Sequence, residues 1–318
     1  MIVDVFLYFN EKELLELRMK MLYDHVDKFI ICDANRTHSG EFKEFTCKRT
    51  LEELNVSFSK ITVVEVDLSI HDNGNSWERE TTQRNAAKNL IKEDDICFMA
   101  DCDEIINPQL ILTYVNFIKK NPNNILRVPL AFLTYRADLE TCEENGNSKL
   151  WTSPFFCLKR HLNNYSINEI RESRAFNLNK IEYQDIFILE DDNMLESGWH
   201  FSWMGSNTNR LNKYKSFSHY YDTINPEITL APVLDHLKIN DEKLIKEISS
   251  NWSANMYPLS QKETEEFIFS YQPREGETKD VLGRGNILIK KYPIEKLPRE
   301  IFENKKIQNF LLPEENNE

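Results

Sequence analysis

The chain has 318 residues, 41% of them hydrophobic, and a formal charge of −13. That is enough apolar material for one large folded domain or a domain with an appendage, and too much for a disordered chain. The acidic balance argues against broad nucleic-acid binding and against a polybasic membrane anchor, since both need a basic footprint.

Residues 2–8 form an apolar run before Asn10, which predicts a buried strand. Residues 11–24 carry Leu14, Leu15, Leu17, Arg18, Met21 and Leu22 at helical spacing, with Asn10 as N-cap. A second strand is expected over 26–32, a helix over 43–56 and a third strand over 61–66. A helix over 77–91, a fourth strand over 95–100 and a helix over 108–119 follow, the last opened by Asn107-Pro108. Such β-α alternation implies a parallel sheet with helices on both faces, and these sheets bind ligands beyond the carboxyl ends of their strands. Polar clusters fall after the second and fourth of these strands. Apolar runs at 125–133, 153–159 and 183–189 then predict mixed or antiparallel strands, with helices returning at 206–217 and 240–250.

The centre of interest is Asp101-Cys102-Asp103-Glu104, directly after the fourth strand. Hard divalent cations prefer oxygen ligands, and two carboxylates at a strand tip can hold one against substrate phosphates. The plain alternative is a solvated acidic turn. The helix start Trp77–Asn85 pairs Glu80 with Arg84 at i, i+4, either as an ordinary ion pair or as a phosphate-binding or turn-orienting arginine. Asp33–Gly40 is either a loop that grips a base and ribose or a turn of Asn, Ser and Gly. His200, between Trp199 and Trp203, is either a metal ligand or a buried core histidine. Lys215, before Ser216-Phe217-Ser218-His219, offers a cation for phosphate or merely ends a helix.

Taken in order, these clusters resemble glycosyltransferase family 17. The stretches that carry the likeness are Asp4 to Glu11 with Leu14 to Arg18; Asp33 to Gly40; Glu80 with Gln83-Arg84; Asp101 to Glu104; Gly198-Trp199-His200; and Lys215 to His219. The resemblance implies an α/β fold of the GT-A type, a Rossmann-like mixed sheet flanked by helices with one nucleotide-sugar-binding domain. It implies a UDP-sugar donor (UDP-GlcNAc in the best-known member), Mn²⁺ or Mg²⁺, and inversion at the anomeric carbon. By the same likeness Asp101, Asp103 and His200 are the metal residues. Asp33, Asn35, Arg36, Gln83, Arg84, Asp101 and Lys215 are the donor-site residues.

The expected reaction moves a sugar to a hydroxyl of a glycan or glycoconjugate. Its base is sought in Glu190, Asp191 and Asp192, after the 183–189 run, with Glu169 and Glu172 as rivals. Two other classes remain open. A haloacid-dehalogenase-like phosphatase would use Asp101 as nucleophile, but its Asp-x-Asp follows a first strand, and Ile105 departs from its pattern. A non-catalytic glycan-binding protein would bind sugar whether or not a chelator is present.

Residues 1–222 are read as the catalytic domain and 223–318 as an extension packed on it, with a disordered tail from about residue 313. Gly283-Arg284-Gly285-Asn286 is either a plain turn or a loop over the donor. The six cysteines form no CxxC pair and are expected to be reduced thiols. With no signal-peptide pattern and no apolar run of about 18 residues, a cytoplasmic protein of microbial or viral origin is expected.

Overall fold

The computed structural model describes residues 1–71, 75–176, 186–188, 197–221, 242–244, 246–247, 249–250, 259–280, 282–284 and 287–313. The expected α/β architecture is present, as a mixed sheet flanked by helices. The chain opens with β1 (Ile2–Tyr8), α1 (Lys12–Leu22), β2 (Lys28–Ala34), α2 (Cys47–Glu53), β3 (Ile61–Val66), α3 (Ser76–Asn85) and β4 (Ile96–Asp101). β3, β2, β1 and β4 lie side by side in that order, all parallel. Alternate residues face opposite ways. Phe6, Tyr8, Phe29, Ile31 and Phe98 bury against α1 and α2, while Val3, Val5, Ile30, Cys32 and Met99 face Ala87, Ile91, Ile167 and Ile170. Strands covered on both faces read as near-continuous apolar runs, which is why they are visible in the sequence.

The strand order reverses between β1 and β4. The chain steps outward from β1 through β2 to β3, then crosses back to place β4 on the other side. The crevice of such a sheet opens at this point, beyond the carboxyl ends of the two strands. It is therefore lined by residues 9–11 and 101–104 together.

β5 (Glu104–Ile106) follows β4 after a two-residue turn, then α4 (Ile111–Lys120), β6 (Ile125–Arg127), β7 (Leu130–Thr134), β8 (Arg136–Cys142), β9 (Leu150–Trp151) and β10 (Phe155–Leu158). α5 (His161–Asn164), α6 (Ile167–Phe176), β11 (Ile186–Ile188), β12 (Gly198–Ser202), α7 (Asn207–Ser216), α8 (Gln261–Ser270), β13 (Leu288–Lys291) and α9 (Lys305–Leu311) complete the described elements. β10 runs antiparallel to β4 and extends the main sheet through β6 to β11. β13, β8, β7, β12 and β5 form a second sheet in that order, with β9 added to β7.

β12 was not anticipated as a strand, yet it matters most for the site. It pairs antiparallel with β5, setting His200 opposite Glu104, and parallel with β7. Gly198 makes this possible: it has φ +148°, and a side chain there would collide with the Ile105 carbonyl. The C-terminal residues return to the same body. β13 pairs with β8, and α9 buries Ile307 and Leu311 in the core cluster that holds Leu14 and Leu15. All six cysteines are buried and free, as expected. No helix among the described residues is long and apolar enough to cross a membrane.

Candidate active site

The acidic turn is built from below. Arg18, on the inner face of α1, is fully buried beside fully buried Asp4 of β1. Its Nε and Nη2 donate to the two Asp4 carboxylate oxygens at 2.8 and 2.6 Å. Its Nη1 donates to the carbonyls of Asp101 at 2.9 Å and Glu104 at 2.7 Å. The guanidinium also lies 4.4 Å from the Phe6 ring centre. One side chain thus fixes the backbone at both ends of the turn. Arg18 reads as a helix-face residue in the sequence, and nothing there marks it as the floor of the site.

Glu104 faces inward and is fully buried. It accepts from the Asp101 amide at 2.7 Å, from Arg171 at 2.8 and 2.9 Å, and from Trp151 Nε1 at 2.5 Å. Arg171, on α6, also donates to Asp101 Oδ2 at 2.9 Å. Arg84 takes Asp101 from the other side, through Nη1 to Oδ1 and Nη2 to Oδ2, while holding Glu80 through Nε and Nη2. Burial alone would raise the Asp101 carboxyl, but Arg171 and Arg84 outweigh it and hold it well below the usual carboxylate range.

Glu80 carries this network further. It accepts from Ser218, and His38 contacts Ser218 and Gln83 at 3.2 and 2.8 Å. Gln83 also donates to the Cys32 carbonyl at 2.8 Å. Burial lowers the His38 imidazole against the opposing pull of Glu80. The stretches read separately as Asp33–Gly40, Glu80–Arg84, Asp101–Glu104 and Lys215–His219 are therefore partners in one buried hydrogen-bonded assembly.

The other side of the turn carries buried Asp103. Asp103 Oδ2 lies 2.6 Å from Lys213 Nζ and 3.7 Å from His200 Nε2. Burial would raise the Asp103 carboxyl, but Lys213 and then His200 hold it far below its ordinary value. The His200 ring stacks on Phe132 and tilts against Trp151, and its Nδ1 is buried without a hydrogen-bond partner. Glu11, at the switch point, lies 4.0 Å from Lys213. Burial pushes its carboxyl up to about 8; Lys213 opposes this and the negative charge of Asp103 adds to it.

Several expected donor residues have structural partners here. Asp33 is buried, takes Lys43 Nζ at 2.6 Å and accepts from the Thr46 and Cys47 amides at the start of α2. Asn35 bridges Asp67 and the Leu68 amide. Arg36 is half-buried on the same loop, where it bridges to Phe42. Lys215 points away from the turn and pairs with Glu265 of α8 at 2.9 Å. The lysine that reaches the turn is Lys213, two residues earlier, and Glu11 likewise went unread as chemistry. Glu169 is exposed and caps α6 together with Ser166. Glu190, Asp191 and Asp192 lie outside the described residues, as do Gly285, Asn286 and the tail from residue 314.

The expected metal residues Asp101, Asp103 and His200 do not converge as one cluster. Among the described residues no group of three or more His, Cys, Asp or Glu side chains converges as a metal cluster. Asp101 is the reason: both its oxygens are turned to Arg84 and Arg171. Asp103 and His200 are left as the pair that can share a cation. Their separation of 3.7 Å suits two ligands of one ion, and hard cations complete such partial shells with substrate phosphates and water.

Residues 1–128 match the sequence profile of glycosyltransferase family 17. Over that region the chain is similar to family 17 glycosyltransferases. The family 17 region contributes Asp4, Glu11, Arg18, Glu80, Arg84 and the whole acidic turn, while Arg171, His200 and Lys213 come from beyond it. No curated protein matches the chain in sequence. Among solved structures, TarS from S. aureus is similar at 13% identity and TM-score 0.39, over 85% of this chain and 73% of that one. An active-site mutant of LgtC is similar at 12% identity and TM-score 0.31, over 63% and 72%. Mannose-6-phosphate isomerase from Helicobacter pylori is similar at 12% identity and TM-score 0.33, over 64% and 91%. At these TM-scores the likenesses carry no argument, and the likeness to family 17 rests on the sequence match alone.

Proposed function

We propose that this glycosyltransferase moves a sugar, GlcNAc in the first instance, from a UDP-sugar to a hydroxyl of a glycan or glycoconjugate, with inversion and with a divalent cation. The observation that carries the reading is Asp103. It is a nearly buried, ionised carboxylate at the switch-point crevice, and its neighbours His200 and Lys213 suit a cation-bound diphosphate. Asp103 and His200 would hold Mn²⁺ or Mg²⁺, whose charge would offset that of the departing diphosphate.

The rest is positioning and charge. The acceptor oxygen bonds to the anomeric carbon as the bond from that carbon to the diphosphate oxygen breaks, and the electron pair leaves with UDP. The acceptor proton passes to a carboxylate, for which Glu190, Asp191 and Asp192 remain the candidates. Arg18, Arg84 and Arg171 hold the turn rigid, so the site spends little energy reorganising as charge develops. Burial raises the Glu11 carboxyl to about 8, which would lessen its negative charge against the diphosphate. Asp101 does not suit the rival role of a phosphatase nucleophile, because two arginines clamp both its oxygens.

The test is UDP release from a panel of UDP-sugars, with Mn²⁺ and candidate glycan acceptors. Release from one UDP-sugar, dependent on acceptor and abolished by chelator, is expected. Phosphate release from simple phosphoesters with no UDP-sugar turnover would overturn the reading.

A further inference from the structure

Arg18, Arg84, Arg171 and Lys213 all reach the acidic turn, and the first three cannot leave it. Their side chains are 0%, 7% and 4% exposed, and each makes several charge-assisted bonds at once. Pulling away Arg18 or Arg171 would strand the buried carboxylate of Asp4 or Glu104 at a high desolvation cost, and Arg84 would give up two carboxylates at once. Lys213 differs on each count. Its side chain is 30% exposed, it touches Asp103 at a single oxygen, and Glu11 stands off at 4.0 Å.

The backbone beneath Lys213 is fixed. α7 opens with a Ser206–Asn209 capping box. Arg210 donates to the carbonyls of Trp203 at 2.9 Å and Tyr135 at 3.3 Å, and Tyr214 is buried. Only the flexible four-carbon stem can move, and it can do so without disturbing the helix. The ammonium sits on Asp103 Oδ2, the same oxygen that faces His200 Nε2. A divalent cation on that oxygen would repel an ammonium 2.6 Å away. The displaced ammonium would find its next anion in the diphosphate that arrives with the cation.

We propose that Lys213 is an exchangeable counter-ion: it neutralises Asp103 in the ligand-free protein and passes to the nucleoside diphosphate when a divalent cation takes Asp103. This rests on the reading of Asp103 as a cation-holding carboxylate. The exchange makes cation and diphosphate bind as a set. The cation alone must compete with Lys213, and with the diphosphate present the lysine gains a new partner instead of losing one.

The experiment measures Mn²⁺ binding to the full chain by electron paramagnetic resonance, and UDP binding by calorimetry. Wild type is compared with Lys213→Met and, to guard against misfolding of one variant, Lys213→Gln. Without nucleotide, both variants should bind Mn²⁺ about threefold to tenfold more tightly, the scale of one partly exposed charge contact. With Mn²⁺ present, both should bind UDP more weakly by a similar factor and bind uridine unchanged. If wild type binds Mn²⁺ with UDP and the variants match it in both measurements, the exchange is wrong while the cation reading stands. If wild type binds no Mn²⁺ even with UDP, both fall together.

Discussion

The two sides of the acidic turn are made of the same residue types and behave differently. On the closed side Arg18, Arg84 and Arg171 grip Asp4, Asp101 and Glu104 through paired hydrogen bonds, buried at Asp4 and Glu104 and part-buried at Asp101. On the other side buried Asp103 meets a partly exposed lysine and a buried histidine through single contacts. Multidentate arginine contacts fix geometry, whereas a lone ammonium on a flexible stem can be traded for another cation. The two aspartates of the Asp-x-Asp pair therefore differ in their surroundings: Asp101 is held by two arginines, and Asp103 by one lysine beside a histidine.

That contrast breaks most readily at Asp103. Asp103→Asn should reduce UDP-sugar turnover about a thousandfold or more, the scale of losing one preorganised charge contact at a departing group, while the fold survives by circular dichroism. Near-normal turnover in this variant would place the ligand elsewhere. On the closed side the expected damage is to stability. Arg18→Met leaves Asp4 buried and unpaired and should cost about 3 kcal/mol in urea unfolding, with partial recovery when Asp4→Asn is added. A loss below about 1 kcal/mol would mean the floor of the turn is not held as described.

Glu11 sharpens the comparison through pH. Its carboxyl titrates near 8 when folded and near its ordinary 4.5 when unfolded, so the folded state holds the extra proton between those values. Its contribution to stability therefore falls as pH rises from about 4.5 to 8, by on the order of 1–2 kcal/mol after solvent screening. Glu11→Gln keeps the neutral form, so its melting temperature should match wild type at pH 4.5 and exceed it at pH 8.5. Equal offsets at both values would contradict the raised Glu11 carboxyl. The smallest effect belongs to Lys215, whose exposed pair with Glu265 should be worth less than about 1 kcal/mol in unfolding of Lys215→Ala.

Much of this was legible in the sequence, for a physical reason. β1 to β4 are buried on both faces, so each is a continuous apolar run, and the acidic turn stands out at the tip of the last. β5 and β12 are short and pair with segments distant in the chain, which leaves no local signature. β8, Arg136–Cys142, alternates polar and apolar residues and was passed over. The 125–133 run, expected as one strand, divides into β6 and β7, which enter different sheets. The choice of lysine turned on helix geometry. Lys213 and Lys215 are two positions apart on α7, about 200° around a helix, so they face opposite ways. The register of α7 against the sheet, set by buried Arg210 and Tyr214, decides which one faces the site. Glu11 needed the switch point between β1 and β4, and strand order is not written in any single segment.

Calorimetric titration of UDP into wild type and Asp103→Asn, each with Mn²⁺ and with EDTA, bears most directly on whether Asp103 carries the donor. Wild type should bind UDP with Mn²⁺ and lose most of that affinity in EDTA, and Asp103→Asn should bind weakly in both. Equal affinity in all four titrations would contradict the account.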